Sequence, residues 1–221
     1  MPFRLPLFPL ELALFPGMAQ PLHIFEPRYR EMLQDCLESD ERFGLLPGNT
    51  GESPAPGAVG CVAHIRATQA LDDGRSNILV QGGERFTVQE LDDRSRPYLL
   101  GMVEPLHDTD LEEIDPERVQ DLTRLGKEYL AAIQVLNDAP MSSFTWSGDA
   151  EEVSLQAAAF LEADLEVKRQ LLAMQSAQRR IGIVQRLLRH QTSEVTRRAV
   201  THVHARSNGG GNRSALGDLE P

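Results

Sequence analysis

The spacing of apolar positions changes along the chain, and each change marks an architectural boundary. Over the first hundred residues the apolar positions come in brief runs, LPLFPL, LALFP and PLHIF, which read as short strands. Prolines interrupt them, and proline belongs at strand starts, edges and bulges. EPRYREMLQDCLESD switches period: Phe25, Tyr29, Met32, Leu33, Cys36 and Leu37 recur at helical spacing on one face. Pro27 stands where a first-turn proline is tolerated, so a helix is expected over about 27–39. FGLLP returns to strand, and Val59, Cys61, Ala63 and Ile65 alternate with their neighbours. DDGR supplies a hairpin turn; ILVQGGERFTVQEL follows as one or two strands, with Gly82-Gly83 suited to a bulge. YLLGMVEPL closes a set of six to eight short strands with one early helix, a barrel-like sheet rather than a parallel doubly wound one.

From Asp108 the pattern becomes helical. Asp115 is placed as an N-cap with Pro116 in the first turn, and Val119, Leu122, Tyr129, Ile133 and Leu136 line one face. The acidic run from Asp108 to Glu117 reads as a solvated helix entry rather than a cation site. Asp149 followed by Glu152 resembles a capping box before a helix carrying Val153, Ala157 and Phe160. A short helix is expected from after Asp164 to near Ala173. A long one follows from about Ser176 to about Ala205, with Ala177, Ile181, Val184, Leu188, Gln191 and Val195 spaced alternately four and three apart. The first half of that seam is expected to pack on its own chain and the second half to be free for a partner, a second copy forming a homodimer included. The predicted fold class is α+β: a barrel subdomain over 1–107, a helical subdomain over 108–206, and a disordered tail over 207–221 whose composition cannot build a core.

Charge narrows the choice of partner. The formal net charge is -11, yet residues 165–206 hold nine Lys or Arg against Glu166 and Glu194, leaving 13 of the 22 basic and 31 of the 33 acidic residues elsewhere. A basic arm on an acidic body makes nucleic acid an unlikely partner for the whole surface. The start MPFRLPLFPLELALFPG lacks a basic n-region followed by a continuous apolar core, and no run approaches the length of a membrane span, so a cytoplasmic protein is expected.

Motifs for chemistry are absent. Cys36 and Cys61 sit among apolar neighbours and read as small buried hydrophobes rather than a disulfide. His23, His64, His107 and His190 stand alone, and His202 and His204 are two apart, so no metal or cofactor is expected. No serine lies in a GxSxG elbow.

The string LPLFPLELALFPGMAQPLHIFEPRYREMLQDCL resembles the opening of Lon protease N-terminal domains. Further matches follow in order: Phe43-Gly44, VGCVAHI, DGR, ILVQGGERF and LEADLEVKRQLLAMQSAQRRIGIVQRLL. The resemblance covers all but the tail. It implies a PUA-like β-barrel with a helical subdomain behind it, and a role in recognising unfolded or tagged polypeptides or in assembly. Full Lon also carries a phosphate-binding GxxxxGK[ST] loop and a Ser/Lys pair. Here the two lysines, Lys127 in RLGKEY and Lys168 in LEVKRQ, make neither, so no enzymatic activity is expected.

In the IFEPRYR motif, Ile24 and Phe25 are expected in the core, Pro27 to start the helix beside Tyr29, and Glu26 with Arg28 or Arg30 to pair against the sheet. Arg85 and Phe86 read as a structural pair in a strand. Peptide contact falls to Phe144 and Trp146, in a loop flanked by Ser and Thr; a Trp146 that plugs the seam between barrel and helices fits equally well. The loop from Gly48 to Gly57 is a second candidate rim. The reading is a non-catalytic polypeptide-binding module, an adaptor in protein quality control. The alternative is RNA or nucleic-acid binding through the barrel and Arg179, Arg180, Arg186, Arg189, Arg197 and Arg198.

Overall fold

A 17-residue strand that pairs with three others organises the amino-terminal half. The computed structural model describes residues 1–48, 54–110, 113–137 and 144–209, with side chains described through Thr201. In chain order the elements are β1 (Phe3–Leu10), β2 (Ala19–Ile24), α1 (Pro27–Leu37), β3 (Arg42–Pro47), β4 (Val59–Ala70), β5 (Ser76–Asp92), β6 (Leu99–Pro105), α2 (Pro116–Leu136), α3 (Ala150–Phe160), α4 (Leu165–Ala173) and α5 (Ala177–Gly209). The sheet runs β2-β5-β4-β3-β1-β6, and β6 returns to pair with β5, so five strands close into a barrel and β2 lies outside on β5. β1 and β3 are parallel; every other pairing is antiparallel. The α+β class and the barrel-then-helices order agree with the sequence reading.

Strand lengths do not. Six strands are present among the described residues, and β4 and β5 are long rather than short. ILVQGGERFTVQEL lies in one strand, whose register against β4 slips between Cys61 and Ala63, opposite Gly83 and Glu84, as the glycine pair suggested. LALFP is not a strand. Leu14 and Phe15 are both buried there, but Leu14 joins the core under α1 while Phe15 joins the helical core, so the segment serves two cores and no ladder.

One core fills the barrel, with Leu5, Leu7, Leu46, Val62, Phe86, Val88 and Val103. Phe86 has no exposed surface, and its burial contributes roughly 1.5–3 kcal/mol. Gly44 and Gly60 leave the space its ring occupies: a Cβ on either would stand 2.6 or 2.5 Å from Phe86 Cζ. A second core lies between the outer sheet face and α1, including Phe8, Tyr29, Met32, Cys36 and Phe43.

The third core belongs to the helices. Asp115 Oδ1 accepts from Glu117 N–H at 2.9 Å, Pro116 starts α2, and Asp149 Oδ1 accepts from Glu152 N–H at 3.0 Å to start α3, as the capping signals require. α5 begins one residue after Ser176, and at 33 residues rises about 50 Å. Gln185 Nε2 reaches both Arg118 O and Asp121 Oδ2, and Arg189 pairs with Asp121 at 2.8 Å, so α2 and α5 run side by side in one direction. Burial along α5 continues through Val195 and Ala199, so self-packing extends beyond the first half. The helix also runs through 207–209, past the expected start of the tail; residues 210–221 lie outside the described residues.

Candidate functional site

Two buried arginines join barrel to helices. Arg85 comes from β5, and Arg180 from the first turn of α5; their side chains are 1% and 0% exposed. Arg85 Nη1 donates to Leu172 O (2.9 Å) and Met174 O (2.7 Å), and its Nη2 donates to Asp108 Oδ1 and Glu151 Oε1, both at 2.7 Å. Arg180 donates from Nη2 to Asp108 Oδ2 (2.6 Å), from Nη1 to Met174 O (2.7 Å), and from Nε to Ser154 Oγ (2.8 Å). Two guanidiniums thus face two carboxylates with no net charge, and nearly every donor is used, as buried charge requires. Arg85 Nε has no partner among the described residues. Burial pulls the Arg180 pKa below its ordinary value, against the opposing pull of Asp108. The expectation for Arg85 was a structural pair; the structure shows one strut reaching α3, α4 and α5.

Above this strut lies a groove of about 1260 Å³. Its floor includes Asp108 and Glu151, one wall is α2 from Val119 to Glu128, and the other is the segment Phe144–Ala150. Phe144, Trp146 and Phe160 form an aromatic cluster, with centroids 5.1 Å apart at 82° for Phe144–Trp146 and 4.9 Å at 88° for Phe144–Phe160. These edge-to-face arrangements suit the ring quadrupoles. Trp146 lies over Gly126 of α2, where a Cβ would approach its ring to 2.3 Å. Both Phe144 and Trp146 remain half-buried, each with surface on the groove. Trp146 therefore packs against α2 and α3 of the helical subdomain. The chain from 138 to 143, which leads into this wall, lies outside the described residues, as does most of the Gly48–Gly57 loop, at 49–53.

The IFEPRYR motif divides differently from expectation. Ile24 and Tyr29 are buried, but Phe25 is 57% exposed, because the turn into α1 points it outward onto the His23 ring (centroids 5.9 Å apart). Glu26 pairs with Arg28 at 2.8 Å inside the helix entry rather than with the sheet, and Arg28 lies over the Tyr29 ring at 4.5 Å. Pro27 starts α1, which ends at Leu37. A smaller hollow of about 250 Å³ runs beside Phe25 along β2.

Cys36 and Cys61 are free and buried. Burial, reinforced by Asp40 and Asp35, pushes the Cys36 thiol up to about 12, and burial raises Cys61 further. Among the described residues no group of three His, Cys, Asp or Glu could hold a metal ion, and no helix is long and apolar enough to cross a membrane. Of the arginines considered for phosphate contact, Arg180 is wholly buried and Arg189 is bound to Asp121; Arg179, Arg186, Arg197 and Arg198 are exposed.

Residues 4–190 match the family model of the ATP-dependent protease La (Lon) substrate-binding domain. The chain belongs to this family. It is similar to the Lon N-terminal domain protein of Xanthomonas campestris, with a TM-score of 0.63, 25% identity, and coverage of 82% of this chain and 96% of that one. The N-terminal domain of Mycobacterium avium complex Lon protease has the same fold, with a TM-score of 0.60 at 16% identity, covering 84% of this chain and 98% of that one. The Lon protease of Cytophaga hutchinsonii is 25% identical over 215 residues, 92% of this chain and 26% of that protein. That of Parabacteroides distasonis is 28% identical over 131 residues, 54% of this chain and 16% of that protein. The chain thus spans about a quarter or less of the length of these proteases, and what it shares with them is the Lon substrate-binding domain.

The strut could not be found by motif. Arg85 stands out in GERF, but Asp108, Glu151 and Arg180 are separated from it by 23, 66 and 95 positions and carry no local signal.

Proposed function

We propose that this chain holds segments of unfolded or tagged polypeptides in the groove between α2 and the Phe144–Ala150 segment, as a non-catalytic adaptor in protein quality control. The observation that carries this is the aromatic cluster: two half-buried rings packed edge-to-face, each with surface on the wall of an open groove. Rigid aromatics supply contact area at little entropic cost, which suits a surface that takes many sequences. Membership of a substrate-binding family supports the reading.

Saturable binding of reduced, carboxymethylated lactalbumin to the immobilised chain is the expected result. Phe144→Ala should weaken it at least fivefold, because it removes one ring from the groove wall while Trp146 keeps its seat on Gly126. Lack of binding at both low and moderate salt overturns the proposal, as does hydrolysis of ATP or of casein by material freed of contaminants.

A second reading, nucleic-acid binding, keeps support from the exposed Arg179, Arg186, Arg197 and Arg198 on α5. It requires a gel shift that weakens steeply with salt. The acidic remainder of the surface favours the polypeptide reading.

A further inference from the structure

We propose that the groove selects polypeptide segments in which an aromatic or branched apolar side chain is flanked by lysine or arginine; this rests on the groove being the polypeptide-binding surface. The charges along its lining decide the direction. Asp108 and Glu151 are consumed by Arg85 and Arg180 beneath them. Of the two cations on the α2 wall, Arg124 is held by Asp121 and Glu128, at 2.5 and 2.7 Å. Lys127 alone is an exposed cation without an ion pair among the described residues. Against it stand Glu113 and Asp149, both exposed carboxylates without an ion pair among the described residues. Asp110 adds a third carboxylate, which accepts from the Gln178 and Ala177 amides and the Ser176 hydroxyl at the start of α5 and also feels the charge of Arg180.

Carboxylates without an ion pair thus outnumber such cations along the described groove lining, on a chain whose net charge is already -11. Field lines in a concave site gather, so a basic segment is drawn in and an acidic one repelled. Trp146, half-buried on the groove lining, adds a ring to which a guanidinium or ammonium is attracted. Two or three exposed pairs of this kind amount to roughly a three- to tenfold preference at low salt.

Trp146 is the only tryptophan, so the test has a built-in reporter. Two labelled twelve-residue peptides with the same Phe-Leu centre, one flanked by Lys and Arg and the other by Glu, are titrated into the full chain. Anisotropy and Trp146 emission are followed together. The expected result is tighter binding of the basic peptide by at least threefold at about 0.02 M salt, a Trp146 response, and loss of the preference near 0.5 M. Glu113→Lys, in a variant that unfolds at the parent's temperature, should narrow the gap. If both peptides bind equally and Trp146 responds, charge selection falls and the groove reading survives. A preference without a Trp146 response or sensitivity to Glu113→Lys places selection elsewhere and overturns the inference. Should neither peptide bind, both readings fall.

Discussion

Arg85 on β5 and Arg180 on α5 donate to the same carbonyl oxygen, that of Met174, at 2.7 Å each, and both hold the carboxylate of Asp108. Residues distant in the chain are therefore joined through one backbone atom and one acid, and the orientation of the helices on the barrel depends on that junction.

Arg180→Met is expected to lower unfolding stability by about 3–5 kcal/mol, because Asp108 would remain buried with half its compensation. Arg180→Lys should not restore it, since an ammonium cannot serve Ser154, Met174 and Asp108 together. Urea denaturation followed by circular dichroism measures both.

Gly126→Ala sets two effects against each other. Helix propensity favours alanine by about 1 kcal/mol in the middle of α2. The new Cβ, however, would press on the Trp146 ring at 2.3 Å, and overpacking of this kind costs roughly 1–3 kcal/mol. A red-shifted Trp146 emission with helix content retained is expected; an unchanged emission maximum would contradict the packing described.

Gly60→Ala should destabilise the barrel by about 1–3 kcal/mol without altering the emission of Trp146. Its Cβ meets Phe86 at 2.5 Å and the Leu45 backbone oxygen at 2.6 Å, and the latter cannot swing aside.

Acid should loosen the β5–β6 turn before the cores. Asp92 is held down to about 2 chiefly by the Ser95 hydroxyl, then by the Arg94 and Ser95 amides. Its folded value lies below the unfolded value of about 3.9, so the stabilisation is complete above pH 4 and lost as pH falls toward 2. Carboxyl titration by NMR reads the value directly, and Asp92→Asn should abolish the transition.

Thiol reagents at pH 8 should leave Cys36 and Cys61 unlabelled in the native protein. With its thiol pushed up to about 12, Cys36 carries almost no thiolate, and Cys61 is fully buried. Labelling that appears only across the urea transition is the expected course.

Local physics made the helices legible. Pro27, the Asp115–Pro116 pair and Asp149 before Glu152 act within four residues, and all three helix starts stand where those signals put them. Strand ends carry no comparable signal, and LALFP shows why apolarity misleads: Leu14 and Phe15 are buried, but in different cores. Phe25 failed for a related reason, since helical spacing gives the face of a residue within the helix and Phe25 precedes its first turn. Phe144 and Trp146 were legible as aromatics in a loop. Their anchorage on Gly126 and Phe160 was not, because it depends on how α2 and α3 are brought together.

The closing of the barrel by β1 against β6 pairs Phe3 with Val103. A ribosome adding about 5–20 residues per second needs roughly 5–20 seconds to make the intervening stretch, and during that interval FRLPLFPL has no strand on one side. Until Val103 has been made, β1 therefore carries an open edge on the side away from β3. Its biogenesis should be more sensitive to elongation rate and to ribosome-associated chaperones than that of a helical bundle of equal size, whose contacts form between neighbours.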